Sequence, residues 1–443
     1  MKSIKNLIKK ITESFNKENS YTITEEYSKC LNVLENTNNN LFITGKAGTG
    51  KTTLIQYFRS NSKKKIIVLA PTGIAALNSH GQTIHSFFGF PPRMINLAAI
   101  NKRTSSRIYS DIDCIVIDEI SMVRADLLDG IDKFLRIHGR DKNLPFGGMQ
   151  MVFVGDLYQL PPVLTNEESN IYNQLYDSPY FFNANSFRLD DFEIVELKTI
   201  FRQKEIKFIE FLNKVRNDEV SSETFDLINE KVTKEPLKDD HIVLCTTNKT
   251  ADSINQDKLN KIQKPEFIYK AETEGIFLTE DRNLPVDLEL KLKKGARVLF
   301  VKNDRGGMWV NGTLGTVYGL TEDLIQVKID NTGKIVNVYI DEWDNVKYEY
   351  DINIAEVVEK VIGKLKQYPL RLAWAITIHK SQGMSFNKVC IDFSRSPFAH
   401  GQTYVALSRC RSLEGILLTK KIWPNDVLID ERIIEFYNKL LKY

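Results

Sequence analysis

The sequence predicts an α/β fold of two lobes built on parallel sheets, with a small β module inserted in the second. Three observations carry this. A strand-like run opens through a glycine-rich turn directly into a helical pattern, between Leu41 and Thr53. Other short apolar runs alternate with helical patterns and end in Pro, Gly, Asp or Glu, as buried parallel strands do when ligand groups sit at their carboxyl ends. Around Asp330-Asn331-Thr332-Gly333 the texture changes to alternating apolar and polar residues, a β-hairpin signal. A chain of 443 residues exceeds one core and suggests roughly two to four domains.

In chain order, Ile4, Leu7, Ile8 and Ile11 form one helical face. Lysines interrupt that segment, so it is not read as a signal peptide; a helix packed on the body is favoured over a membrane-surface helix. A polar run, Asn36 to Asn40, reads as a loop ahead of the first strand. The runs Ile66–Ala70, Cys114–Ile117 and Met151–Val154 supply the next strands, ending at Pro71-Thr72-Gly73, Asp118-Glu119 and Gly155-Asp156. After Asp191 a second set follows in Ile242–Cys245, Val389–Ile391 and Ile416–Leu418. Between them Gly295–Phe300, Gly312–Val317, Leu324–Ile329 and Lys334–Ile340 read as the strands of the β module.

Composition bounds the function. With 42% hydrophobic and 26% charged residues the chain is globular. A net charge of only +3 requires any nucleic-acid surface to be local. The five cysteines, Cys30, Cys114, Cys245, Cys390 and Cys410, show neither zinc spacing nor a disulfide framework, which fits a reducing compartment. No stretch is long and apolar enough to span a bilayer, and no membrane partner is expected. The expected location is the cytoplasm or nucleoid, or the nucleus or mitochondrion of a eukaryotic cell.

Gly45-Lys46-Ala47-Gly48-Thr49-Gly50-Lys51-Thr52, followed by Thr53, is a complete P-loop between a buried strand and a helix. Its backbone N–H groups and the new helix's positive end cradle a phosphate chain. Lys51 is placed to reach the β- and γ-phosphates of ATP and the Thr52 hydroxyl to hold Mg²⁺. Asp118 is the second expected Mg²⁺ residue, and Glu119 the group that orients or deprotonates the attacking water. Gln159, at the end of a third strand, can donate to a γ-phosphate oxygen and accept from that water. An NTPase site at a lobe boundary takes positive charge from the far lobe. Arg202 and Arg409 are the candidates.

The ordered series GKAGTGKT, APTGIAA (Ala70 to Ala76), GQTIHSFF (Gly81 to Phe88), DEISM (Asp118 to Met122), GDLYQLPP (from Gly155), FRQ (Phe201 to Gln203), AITIHKSQG (Ala375 to Gly383) and YVALSR (Tyr404 to Arg409) resembles a superfamily 1B helicase. The segment from Asp118 through Pro145-Phe146-Gly147-Gly148-Met149-Gln150 is similar to the signature region of Pif-type (petite integration frequency) helicases, with RecD-like helicases less close there. The resemblance covers about residues 21–420. It implies two RecA-like lobes, at 21–190 and at 191–300 with 367–443, a short wedge insertion at 89–107, and a Src-homology-three-like barrel at 301–366. It implies that Arg202 and Arg409 are arginine fingers, and that Gln382 and Gly383 link nucleotide state to the DNA track. Pro71, Thr72, His85, Phe87, Pro161, Thr377, His379 and Lys380 match positions lining single-stranded DNA. Hydroxyls and Lys380 suit phosphates, and His85, His379 and Phe87 offer flat faces to bases. Phe88 is expected in the core.

The wedge carries Pro91, Pro92, Arg93, Lys102, Arg103 and Arg107. Asn303, Arg305, Trp309 and Asn311 of the barrel are expected DNA neighbours. One departure stands out. The family carries a glutamine that reads the adenine edge, where this sequence has Tyr27 after Glu25-Glu26. Tyr27 can stack on the base but cannot reproduce an amide's paired contacts, so use of other purine nucleotides is expected. The resemblance implies an ATP- and Mg²⁺-dependent 5′-to-3′ DNA helicase, acting as a monomer on single-stranded and forked DNA, RNA–DNA hybrids and G-quadruplexes. Two rivals share these motifs: an ATP-gated single-strand clamp or protein-displacing translocase, and a RecD-like subunit of a nuclease assembly.

Overall fold

The computed structural model describes residues 24–91, 93–101, 107–164, 168–169, 172–203, 205–233, 241–276, 284–304, 306–309, 311–330, 332–351, 356–440 and 442. The amphipathic N-terminal segment, together with Pro92, Lys102, Arg103 and Arg305, lies outside them.

The first lobe is a six-stranded parallel sheet in the spatial order Gln82–Thr83, Ile66–Ala70, Cys114–Ile117, Gln150–Gly155, Asn40–Gly45, Phe192–Leu197. Every residue of Cys114–Ile117 and Gln150–Gly155 is buried. Their side chains alternate between two cores, because successive residues of a strand face opposite sides. Leu41 and Ile43 pack with Val116 and Val154 on one face, and Phe42 with Ile115 and Phe153 on the other. Helices Glu25–Asn36 and Lys51–Asn61 cover the first face through Leu31, Leu34, Leu54 and Phe58. Thr24 caps the former by accepting from Tyr27 N at 3.2 Å. Helix Ala125–His138 covers the second face through Leu128, Ile131 and Phe134.

The second lobe holds four parallel strands, Ala375–Thr377, Ile242–Cys245, Val389–Asp392 and Ile416–Leu418. The inserted module is an antiparallel five-stranded sheet, Ile335–Val338, Ile325–Ile329, Leu314–Leu320, Arg297–Phe300 and Leu370–Leu372. The hairpin read from the alternation is present, with Ile325 opposite Val338.

The lobe boundaries differ from the sequence reading in three places. Phe192–Leu197, expected in the second lobe, pairs along its length with Asn40–Gly45 of the first. The module's sheet begins at Arg297 and closes with Leu370–Leu372, so it exceeds 301–366 at both ends. The C-terminal helix Glu431–Leu440 docks on the first lobe, where Phe436 stacks on Phe182 with ring centroids 4.2 Å apart. An apolar stripe on a helix does not encode which lobe receives it.

A long hairpin, Asp341–Asp351 with Glu356–Gln367, leaves the module and lies against Gln82–Thr83, Ile84–Phe88 and Arg107–Asp111 of the first lobe. Among its described residues, the insertion at 89–107 is anchored to the first lobe at Phe90 and Ile95. Phe90 stacks on Phe88 at 5.4 Å, and Ile95 N donates to Asp126 Oδ2 at 2.8 Å.

Candidate functional site

The strand Asn40–Gly45 delivers the P-loop to the seam between the lobes. At Gly48 and Gly50 the loop needs residues without a side chain. Both have positive φ, +84° and +78°, and an added Cβ would fall 2.5 Å from Arg202 Cβ and 2.1 Å from Tyr27 Oη respectively. Helix Lys51–Asn61 begins immediately after, directing its free amides at the loop's concavity. Lys51 Nζ donates to the carbonyls of Gly45 and Lys46 at 2.7 and 3.1 Å, and burial lowers its affinity for a proton.

Asp118 and Glu119 close the strand Cys114–Ile117. Thr52 Oγ1 stands 3.4 Å from Asp118 Oδ2, so the two oxygens suit one hard divalent cation. Their pairing fits Mg²⁺, whose remaining ligands in such sites are water and phosphate oxygens. Glu119 has a left-handed backbone, φ +54°, of the sort held only where surroundings impose it. Burial, and the Asp118 charge beside it, push its carboxyl well above the usual carboxylate range. Gln159, 5% exposed, lies within reach of the same point. Gln382 of the second lobe joins them, its Nε2 donating to Glu119 Oε2 at 3.0 Å and to Gln159 Oε1 at 3.3 Å.

A cleft of about 500 Å³ collects these groups. Ala47, Gly48, Gly50, Lys51, Thr52, Thr53, Glu119 and Gln159 line it from the first lobe, and Gly383 and Arg409 from the second. Arg202 lines it from the segment running between the lobes. Gly45 lies behind the lining, against Leu197, and Thr49 is fully buried. Arg409 is 1% exposed and donates to the Val405 carbonyl at 3.0 Å and to those of Ser381 and Met384, each at 3.3 Å. Burial and the adjacent Arg409 charge hold Arg202 below the usual guanidinium range. Two desolvated cations facing one cleft favour an anion between them.

A second cleft, about 700 Å³, shares Thr52, Thr53, Glu119 and Gly383 with the first. Pro71, Thr72, His85 and Arg93 line it from the first lobe, His379, Lys380 and Gln382 from the second, and Asn303 and Asn311 from the module.

A family model described as PIF1-like helicase matches residues 20–226, and another, described as helicase, residues 345–424. The ATP-dependent DNA helicase Pif1 of Bdellovibrio bacteriovorus is 33% identical over 432 residues, which cover 94% of this chain and 92% of that protein. The chain belongs to the PIF1-like helicase family. Human ATP-dependent DNA helicase PIF1 is 35% identical over 90% of this PIF1-like helicase, which spans 61% of the human protein. Bacteroides sp Pif1 in complex with ADP-AlF4 superimposes with a TM-score of 0.86 at 41% identity, covering 96% of this chain and 98% of that one. Bacteroides Pif1 bound to ssDNA, at 42% identity and covering 95% and 97%, gives 0.70. Taken over the whole chain, this PIF1-like helicase superimposes better on the former.

Five sequence expectations change in the structure. Tyr27 does not offer its ring to a base. It is 5% exposed, and its hydroxyl donates to the carbonyls of Thr49 and Gly50, each at 3.0 Å. Phe87, expected to face bases, is 6% exposed and packs edge-on against Phe88 and Tyr109. Thr377 is buried, and its hydroxyl accepts from Lys380 N at 3.2 Å, shaping the turn rather than lining the cleft. Pro161 is half-buried and outside the lining, which the exposed Val163 enters instead. Trp309 is likewise interior to the module, stacked on Phe300 at 4.5 Å.

Two aromatic residues were missed. Phe201, 44% exposed, stands at the mouth of the nucleotide cleft beside Tyr27. Phe398, 63% exposed, holds its ring within 17° of parallel to His379 at 6.5 Å. A large aromatic followed by two polar residues, as in Phe201-Arg202-Gln203, is the signal that points to the first.

Proposed function

We propose that this PIF1-like helicase is an ATP-driven DNA motor that moves 5′ to 3′ along one strand and separates duplexes, working on forks, RNA–DNA hybrids and G-quadruplexes as a monomer. The observation that carries the reading is Gln382, which lines the larger cleft while bonding Glu119 and Gln159 in the smaller. One side chain thus touches both the water-activating groups and the track.

Lys51 and the loop amides bind the phosphates of ATP; Thr52 and Asp118 would hold Mg²⁺, which would supply neutralising positive charge there. Glu119, kept proton-avid by burial, orients the attacking water and takes its proton. Gln159 donates to a γ-phosphate oxygen, releasing Gln382. Arg202 and Arg409 stabilise the charge that develops on the transferred phosphoryl group. In the track, Thr72 and Lys380 hold phosphates while His85 and His379 meet bases, contacts that read no sequence and suit stepwise movement. Because the Tyr27 hydroxyl is engaged with the loop, this position offers no amide edge to the base, which supports turnover of other purine nucleotides.

Forked duplexes with a single 5′ or a single 3′ tail test the reading. Strand release from the 5′-tailed fork alone is expected. ATP turnover without release from either fork would leave a clamp or protein-displacing translocase, and release from the 3′-tailed fork alone would overturn the polarity.

A further inference from the structure

The P-loop is gripped by two tyrosine hydroxyls, one from each lobe. Tyr27 holds it from within the first lobe through the Thr49 and Gly50 carbonyls. The second grip is Tyr404, on helix Gln402–Ser408, every residue of which is buried. Its hydroxyl accepts from Ala47 N at 3.1 Å and donates to Asp156 Oδ2 at 3.2 Å.

We propose that Tyr404 is a positioning residue through which contact between the lobes sets the P-loop, so that DNA occupancy of the track changes nucleotide affinity. This rests on the motor reading above. Asp156 belongs to the first lobe and is fully buried; its Oδ1 accepts from Arg216 Nε and Nη2 at 3.3 and 3.2 Å. Arg216 comes from helix Ile206–Asn217, which packs on the helix of Tyr404, and lies between the rings of Tyr158 and Tyr437 at 4.2 and 4.9 Å. Two second-lobe side chains therefore converge on one first-lobe carboxylate, and that carboxylate takes the Tyr404 proton. With its proton committed, the hydroxyl's oxygen faces the Ala47 amide as acceptor.

The interior location makes the arrangement all-or-none. If the lobes separate at this seam, the Ala47 amide and the Asp156 carboxylate lose partners that water reaches poorly, which raises the cost of a half-open state. The track spans the same two lobes, Thr72 and His85 facing His379 and Lys380. A movement of one lobe against the other therefore acts on the bond between Tyr404 and Ala47. Arg409 does not provide this link, since it donates to carbonyls of its own lobe.

Titrations of a fluorescent non-hydrolysable ATP analogue, with and without a saturating oligo-dT strand, test the proposal. The ratio of the two affinities in the native protein is the coupling factor. In Tyr404→Phe that factor is expected to move towards unity by about fivefold, the worth of one hydrogen bond. By reciprocity the DNA affinity, measured with and without the analogue, must lose the same factor. Tyr180→Phe is the control. It removes another buried tyrosine hydroxyl, one that bonds Asp430 Oδ2 at 3.1 Å rather than the loop, and should leave the factor unchanged. Asp156→Asn, which disturbs the same relay from the first lobe, should reproduce the loss and serves if Tyr404→Phe does not fold. An unchanged factor in the folded Tyr404→Phe protein, or an equal loss in Tyr180→Phe, overturns the proposal. A native protein that binds no nucleotide overturns the motor reading as well.

Discussion

Gln382 and Glu119, 263 positions apart in the chain, meet at 3.0 Å, amide nitrogen to carboxylate oxygen, where the two clefts join. The amide neutralises no charge, so the bond leaves Glu119 a base while fixing where it points. Gln382→Ala should lower the ratio of DNA-stimulated to basal ATPase by about tenfold, more than one ordinary hydrogen bond, because Gln159 loses the same partner. Steady-state turnover with and without single-stranded DNA measures the ratio, and an unchanged value would remove Gln382 from the link.

Arg202 and Arg409 should separate in a mutational test. If both act as proposed, removing either arginine is expected to slow turnover by about 10³-fold with nucleotide still bound. Arg409 also fastens the Ser381 and Met384 carbonyls, so Arg409→Ala should in addition lower the melting temperature by several degrees. Arg202 makes one long bond, 3.4 Å to the Ser408 carbonyl, and Arg202→Ala should melt closer to the native protein. Single-turnover ATPase and thermal scans on both variants read out the difference.

Phe398 and Lys380 should weaken DNA binding in different ways. Phe398→Ala removes an exposed ring beside His379 and is expected to cost about 1–3 kcal/mol of single-strand affinity with an unaltered salt dependence. Lys380→Ala should flatten the plot of log affinity against log salt by about one counterion. Binding isotherms between low and moderate salt distinguish the two. A changed slope in Phe398→Ala would show that its loss acts through phosphate contacts.

Tyr27 bears on the choice of nucleotide. With its hydroxyl bonded to Thr49 and Gly50, the position lacks the paired donor and acceptor by which a built site rejects the wrong base. The kcat/KM for GTP is therefore expected within about tenfold of that for ATP, against the roughly 10⁴-fold that a hydrogen-bonded edge achieves. Parallel assays with both nucleotides decide it. Tyr27→Phe should raise the KM of both alike, since it loosens the loop rather than a base contact.

The sequence alone determined the chemistry and the strands that carry it. Lys51, Asp118, Glu119 and Gln159 sit at the ends of short apolar runs, and a strand, a glycine turn and a helix start are all specified within a dozen or so neighbouring residues. The hairpin of the module was legible for the same reason, since alternation and a turn are local. Only the tertiary structure decided direction and partnership. Phe87 and Phe398 are equally apolar, yet packing sends one into a core and leaves the other beside His379. Phe192–Leu197 fell within the second lobe as read from the sequence, because its partner in the first-lobe sheet, Asn40–Gly45, lies far back in the chain. The bond from Tyr404 to Ala47 joins residues 357 positions apart. No pattern of neighbours encodes such a contact: it exists because two lobes, each folded by its own periodicity, bury one polar group of each against the other.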